Sequence, residues 1–236
     1  MLDALMLTDT YSASLHEDIR GLRIGVAKNY FYDNVDPVIL DIFHKSLQKL
    51  VDLGAILIEV TIPCERSTLQ NNFIIATAES NYVHRDRIKQ SSELYGEDVG
   101  EILRSGKHIS SLLYLEALHQ IRETKTAFTN MFEEIDVLAT PTTAVLPQKI
   151  GKNTVNVHGE EKDLFAETTS IGAVFNVTGH PAISIPTGEF VDRIPVGIHF
   201  ASKAYHEAVL LHVAYAYERA YVQDFYKKRA KLGGKQ

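Results

Sequence analysis

The sequence has little on which chemistry could be hung. A single cysteine, Cys64, excludes an internal disulfide and a cysteine-rich metal site, and it fits a reducing compartment. Cys64 follows Ile62-Pro63 at the end of an apolar stretch, where burial or indifference explains it better than nucleophilic work. No apolar run approaches the length of a membrane span. The opening Met1-Leu-Asp-Ala-Leu-Met-Leu-Thr-Asp is too short and too acidic for a secretory signal, so the expected location is the cytoplasm. The net charge is −6 and there is no basic block, which argues against nucleic acid or an anionic membrane as partner. Lys227, Lys228, Arg229, Lys231 and Lys235 make the one basic concentration, read as a solvated C-terminus. There is no G-x-S-x-G elbow, P-loop, G-x-G-x-x-G or H-E-x-x-H.

What is present is a packed-domain composition: 236 residues, 45% hydrophobic and 23% charged, enough chain to bury a real core. Gly21-Leu-Arg-Ile-Gly-Val-Ala27 predicts a buried strand. Asp36-Pro37 supplies a cap and a first-turn proline. Ile39, Ile42, Phe43, Leu47, Leu50 and Leu53 then recur at helical spacing up to Gly54. Ala55 to Ile62 reads as a second strand, completing a βαβ unit with parallel strands and a right-handed crossover. Residues 67–134 turn helical, broken near Ser91-Ser92, Gly96, Gly100 and Gly106. The longest helix is expected over Ser110 to Glu134, with Leu115, Leu118, Ile121, Phe128 and Phe132 as its stripe. Asp136 to Pro141 predicts a third strand, and 142–163 a long surface loop. A short helix is expected from Phe165 to Asn176. A β pair follows, Ala182–Ile185 and Val196–Phe200, with turn chemistry at Thr187-Gly188 and Asp192-Arg193. A buried helix over Tyr205 to Tyr221 closes the chain. The fold class is α/β, a mixed β-sheet core flanked by helices, and residues 1–236 form a single domain.

Candidate reactive groups reduce to structural ones. The ten histidines show no pairing at ligand spacing; His206-Glu207 with His212 comes nearest, but a six-residue separation splays the imidazoles around a helix. No metal and no cofactor is expected. His84-Arg85-Asp86 reads as a charged helix face. Ser91-Ser92 and Ser110-Ser111 lack the flanking glycines of a nucleophile turn and read as helix caps. After Val26-Ala27 stands Lys28-Asn29-Tyr30 rather than a glycine-rich phosphate loop, which argues against a nucleotide-binding domain.

The most specific strings are Asp136-Val-Leu-Ala-Thr-Pro-Thr142 and Phe175-Asn-Val-Thr-Gly-His-Pro-Ala-Ile-Ser-Ile-Pro-Thr-Gly188. Pro195-Val-Gly-Ile198 and Glu207-Ala-Val-Leu-Leu-His-Val-Ala-Tyr-Ala-Tyr-Glu218 follow. With Arg20-Gly-Leu-Arg-Ile-Gly-Val26, the Asp36-Pro37 helix, Tyr95-Gly-Glu97 and Tyr114-Leu-Glu-Ala-Leu118, they resemble in order and spacing the C-terminal half of the amidase-signature family. The resemblance covers nearly the whole chain.

It implies an enzyme family that opens carboxylic amides with a serine nucleophile, a bridging serine and a lysine base, all lying upstream of this half. Chemically, a neutral lysine accepts a proton relayed by the bridging serine while loop N–H groups hold the oxyanion. No catalytic residue is therefore carried onto this chain. Family members also draw pocket walls from the helix before the Asn-x-x-Gly-x-Pro segment, which implicates Thr169, Gly172, Ala173, Phe175 and Asn176 in substrate binding; Phe175 and Asn176 could equally serve only to shape the helix-to-strand corner. The A subunits of aminoacyl-tRNA amidotransferases are also similar, but their arginine falls among Gly100, Glu101 and Ile102 here and their acid falls at Thr169. Those departures favour a general amidase. Two readings compete: a part of an amidase completed by an N-terminal half that acts on a small-molecule amide, or a non-catalytic remnant or binding module. The first also predicts an uncovered apolar patch and self-association.

Overall fold

The structure, a computed structural model, describes residues 11–32 and 34–233. The opening stretch, residues 1–9, and Lys235 of the basic tail lie outside them. The chain divides into two compact units, one of residues 1–63 with 128–236 and the other of residues 64–127.

The first unit is built on a five-stranded mixed sheet. Its strands are β1 (Arg23–Ala27), β2 (Ile56–Val60), β3 (Val137–Pro141), β6 (Ala182–Val191) and β7 (Ile194–Ser202), in the order β2-β1-β3-β7-β6. β1 pairs in parallel with β2 and with β3, while β7 runs antiparallel to both β3 and β6. The first three strands appear where the sequence reading places them, and so does the mixed sheet. The helix between β1 and β2, α1 (Pro37–Asp52), is well specified, and the βαβ unit forms around it. Asp36 Oδ1 accepts the Val38 N–H at 2.9 Å, and Pro37 occupies the first turn. Its buried side chains, Ile39, Ile42, Phe43, Leu47 and Leu50, fall on one face. Leu53 then ends the helix and Gly54, at φ 93°, turns the chain toward β2.

The main core lies on one face of this sheet. Ile24, Val137, Ala139, Ile198 and Phe200 meet Phe43, Leu47 and Leu50 of α1 and Leu210, Val213, Ala214 and Tyr217 of α8 (Glu207–Tyr221). Each such apolar side chain contributes about 1.5–3 kcal/mol when fully buried, so this layer is a major source of the unit's stability. Tyr217 fits because its hydroxyl donates to Thr187 O at 3.0 Å, and burial pushes that phenol up to about 12.

Several details of this unit differ from the sequence expectation, among them a further helix, Gln223–Gly233, beyond the one expected to close the chain. Residues 142–163 are not one loop: β4 (Thr154–Val157) and β5 (Glu160–Asp163) pair as a separate antiparallel hairpin turning at His158-Gly159. Val155 and Val157 alternate inward, a two-residue period too short to stand out among Gly, Asn and Lys. Thr187-Gly188 is not the turn between the last strands but a bulge inside β6, where the register jumps from Pro186↔Gly197 to Phe190↔Pro195. Gly188 sits there at φ 92° against the carbonyl of Tyr221, and the turn itself is Asp192-Arg193. The expected helix over Phe165 to Asn176 is two helices, α6 (Leu164–Thr169) and α7 (Gly172–Thr178).

The second unit holds α2 (Arg66–His84), α3 (Arg87–Gln90), α4 (Glu97–Ser105) and α5 (Ser111–Met131) as far as Ala127. Gly106, at a helix break, packs so close that a Cβ would stand 2.5 Å from Thr77 O, and Asn81 Nδ2 donates to Leu103 O at 2.7 Å. α5 ends at Met131 rather than Glu134. Of the expected stripe, Ile121, Phe128 and Phe132 are buried, but Leu115 is 60% exposed. Leu115 lies about 200° around the helix from buried Ala117, so its spacing places it on the outer face.

Gly54→Ala tests the strand–helix corner. A Cβ there would lie 2.5 Å from Arg20 Cγ on a backbone of positive φ. The substitution should destabilise the chain by about 1–3 kcal/mol in denaturant unfolding, whereas Gly151→Ala, which meets nothing, should lose only the backbone term.

Candidate functional site

The pocket helix named by the sequence reading begins with a cap. Asp163 Oδ1 accepts the Ala166 N–H at 2.7 Å and starts α6; α7 ends at Gly179, whose φ of 69° lets its N–H reach Phe175 O at 2.9 Å. The five predicted residues divide between two faces. Ala173 and Phe175 are buried, and the Phe175 ring packs on Phe31, Phe128 and, at 5.0 Å, His199. Gly172 and Asn176, four residues apart, lie on the outer side of α7, and space is open where a Gly172 Cβ would project. Thr169 is half-buried, its hydroxyl donating to Phe165 O at 2.8 Å. One face of α7 therefore anchors the helix while the other presents an amide side chain beside a bare backbone.

The anchoring face rests on a polar row across the sheet. Ser184, His199 and Thr140 are in register on β6, β7 and β3. His199 Nδ1 shares a hydrogen bond with Thr140 Oγ1 at 3.2 Å, and Thr142 Oγ1 pairs with Ser184 Oγ at 2.6 Å. Gly197 makes that second pair fit, because a Cβ would collide with the Thr142 hydroxyl. Burial lowers the His199 imidazole from 6.5 to about 4, so it is neutral at pH 7.

A residue the sequence reading passed over lies on α6. Glu167 is buried, and Asn34 Nδ2 donates to its two oxygens at 3.0 and 3.1 Å. Asn34 Oδ1 accepts from Lys162 Nζ at 2.8 Å, so the hairpin, the loop before α1 and α6 are joined in one chain of hydrogen bonds. A buried carboxylate two positions before Thr169 was available as a signal only if α6 had been recognised as having an inner face.

Each unit also carries a cleft. That of the sheet unit, of about 390 Å³, lies by Arg23, Asp136, Glu133, Lys203 and His206. Its charges are already matched: Arg23 binds Asp136 at 2.7 Å, and Lys203 pairs with Glu133. Burial pushes the Asp136 carboxyl up, but the Arg23 hydrogen bonds outweigh it and hold the group below the usual range. The other, of about 580 Å³, belongs to the helical unit and is lined by Glu79, Tyr82, Val83, Ile109, Ser111 and Tyr114 among others. Ser110 there caps α5, accepting the Leu113 N–H at 3.1 Å; Ser91 makes no such side-chain cap. His84 binds Tyr95 and His212 the Asp18 carbonyl, and among the described residues no group of three His, Cys, Asp or Glu could hold a metal.

The family model described as Amidase matches residues 3–211. An amidase of Pseudomonas putida is 32% identical over 215 residues, covering 89% of this chain and 45% of that protein. The A subunit of glutamyl-tRNA(Gln) amidotransferase from Pseudomonas fluorescens (strain SBW25) is 34% identical over 233 residues, covering 88% of this chain and 47% of that protein. The solved structure of a bacterial aryl acylamidase of the amidase-signature family superposes with a TM-score of 0.78 at 21% identity, covering 92% of this chain and 47% of that one. The chain spans about half the length of the curated relatives it matches.

His199 gives a pH test. Its folded value lies below its unfolded one, so unfolded chains bind a proton that folded chains refuse as pH falls below 6.5. About 3 kcal/mol of stability should be lost between pH 6.5 and pH 4, read as a falling unfolding midpoint. His199→Asn should flatten that slope; an unchanged slope would show that His199 does not set it.

Proposed function

The chain belongs to the amidase family, and on that premise we propose that it is the C-terminal part of an amidase. The enzyme hydrolyses a carboxylic amide C–N bond with a serine nucleophile, bridging serine and lysine supplied by a complementary N-terminal half. Residues 1–236 are on this reading one portion of a single amidase-signature domain, working in the cytoplasm. The observation that carries it is coverage: nearly 90% of this chain aligns with less than half of each relative. The helical unit lends support. It holds 64 of the 236 residues but nine of the eighteen exposed large apolar side chains among those described, Leu112, Leu113 and Leu115 included. Such a surface calls for cover. No helix among the described residues is long and apolar enough to cross a membrane.

In the proposed site Thr169, Gly172 and Asn176 form the substrate wall. Phe175 holds that wall on the sheet against His199, and it and the buried Ala173 serve substrate binding from beneath. The serine attacks the amide carbonyl, the amine leaves with a proton from the serine–lysine relay, and water frees the acid. No cofactor is needed for this sequence of steps.

A second reading, part of the A chain of a glutamine-dependent amidotransferase, is favoured by the 34% identity to such a protein. Thr169 stands where the resemblance calls for an acid, and Gly100, Glu101 and Ile102 occupy the region where it calls for an arginine, so the general amidase is preferred.

The test is complementation. The chain alone should turn over no simple amide and should self-associate in sedimentation. Co-expression with the N-terminal half of a matched amidase should restore hydrolysis and suppress self-association. Turnover by the chain alone, abolished by replacing one of its own serines, would overturn the proposal. Glutaminase activity exceeding general amide hydrolysis in the complemented enzyme would select the second reading.

A further inference from the structure

The cavity of the helical unit has a chemistry of its own. It is an open cleft, apolar at Ala78 and Ile109 with Val83 at its exposed rim, and its volume of about 580 Å³ is that of a small-molecule site. One full charge, the exposed Glu79 carboxylate, stands at its edge. Glu79 Oε1 accepts the Tyr114 hydroxyl at 2.8 Å, while Oε2 carries no hydrogen bond or ion pair among the described residues. No lysine, arginine or histidine lines the cavity. We propose that this cavity binds an organic ammonium, a primary amine carrying a small apolar body, with Glu79 as its counter-ion.

The competing electrostatic feature is the start of α5, whose N-terminus faces the cavity at Ser111. A helix end is worth about half a positive charge, and Ser110 already takes the Leu113 N–H, so the whole negative charge of Glu79 prevails over it. A carboxylate ligand is disfavoured for the same reason. The tyrosines add to the case for a cation. Tyr114 is fixed through its hydrogen bond, which leaves its ring face as a wall for an ammonium. Tyr82 shows this use already, carrying the Arg85 guanidinium 4.3 Å from its ring centroid, with that guanidinium paired to Asp86. The Glu79 carboxylate raises the Tyr114 phenol above its usual value, so the hydroxyl remains a donor at neutral pH. Gly106 keeps the floor tight against α2, because any side chain there would meet Thr77 O.

If the amidase reading holds, the amine bound here is the chemical type released when a substituted amide is cleaved. That link rests on the proposed function; the binding does not. Titration of the full chain with benzylamine, followed by calorimetry or ligand-observed NMR, tests it against benzoate and benzyl alcohol. Benzylamine should saturate the site and bind at least tenfold tighter than either control, roughly the 1.4 kcal/mol that separates such affinities. Glu79→Gln keeps an acceptor for Tyr114, so the fold should persist by circular dichroism while benzylamine affinity falls at least tenfold. Benzoate or benzyl alcohol binding as tightly as benzylamine, benzylamine binding unchanged in Glu79→Gln, or absence of saturation at millimolar amine would each overturn the site. Failure of complementation would leave this binding intact, and failure of this binding would leave complementation untouched, so the two outcomes separate.

Discussion

β3 has no face to spare. All five of its residues, Val137 to Pro141, are buried, and it lies at the centre of the sheet between a parallel and an antiparallel neighbour. A strand in that position must be covered on both sides, because each exposed apolar side chain would forfeit about 1.5–3 kcal/mol. α1 and α8 cover one side with aliphatic and aromatic packing. On the other, Thr140 is buried too, and its hydroxyl is met by a histidine that is in turn roofed by Phe175. Covering β3 therefore fixes α7, and fixing α7 decides which of its residues face outward. Gly172 and Asn176 owe their position to a demand made by the strand beneath them.

The parts legible in the sequence were those where one local signal sufficed. Asp36-Pro37 marked a cap and delivered one. Alternation at Val196, Ile198 and Phe200 marked a strand with one buried face. The strings around Pro141 and Gly179 marked the family. What escaped needed information from elsewhere in the chain. The inward face of α6 depends on Asn34, which stands 133 residues before its partner Glu167. The β4–β5 hairpin owes its existence to pairing between two four-residue strands, one of them wholly polar, which composition alone could not separate from a loop. Gly188 resembled a turn because bulges and turns draw on the same conformational freedom; only the register of β6 against β7 tells them apart.

The helical unit is organised differently. A small apolar interior at Ile88, Leu103, Ala117 and Ile121 is joined by half-buried polar bonds, Asn81 to Leu103 and His84 to Tyr95, and by exposed ones, Tyr114 to Glu79 and Asn71 to Gln120. Its large apolar side chains are turned outward at Phe73, Val99, Ile102 and Leu112. A unit arranged in this way is held in register by directional bonds while much of its apolar surface stays in water. On the proposed reading, that distribution suits a surface to be covered by the complementary half.

Asn34 carries a consequence that belongs to the lifetime of the molecule. Its amide uses both ends, nitrogen toward Glu167 and oxygen toward Lys162, so the polarity of the link is set by one functional group. Hydrolysis of that amide to a carboxylate, the commonest chemical ageing of asparagine, would exchange a donor for a second negative charge against a buried acid. The added anion would keep its hold on Lys162 and repel Glu167. Ageing at this one side chain would thus uncouple α6 from the hairpin while leaving the sheet untouched.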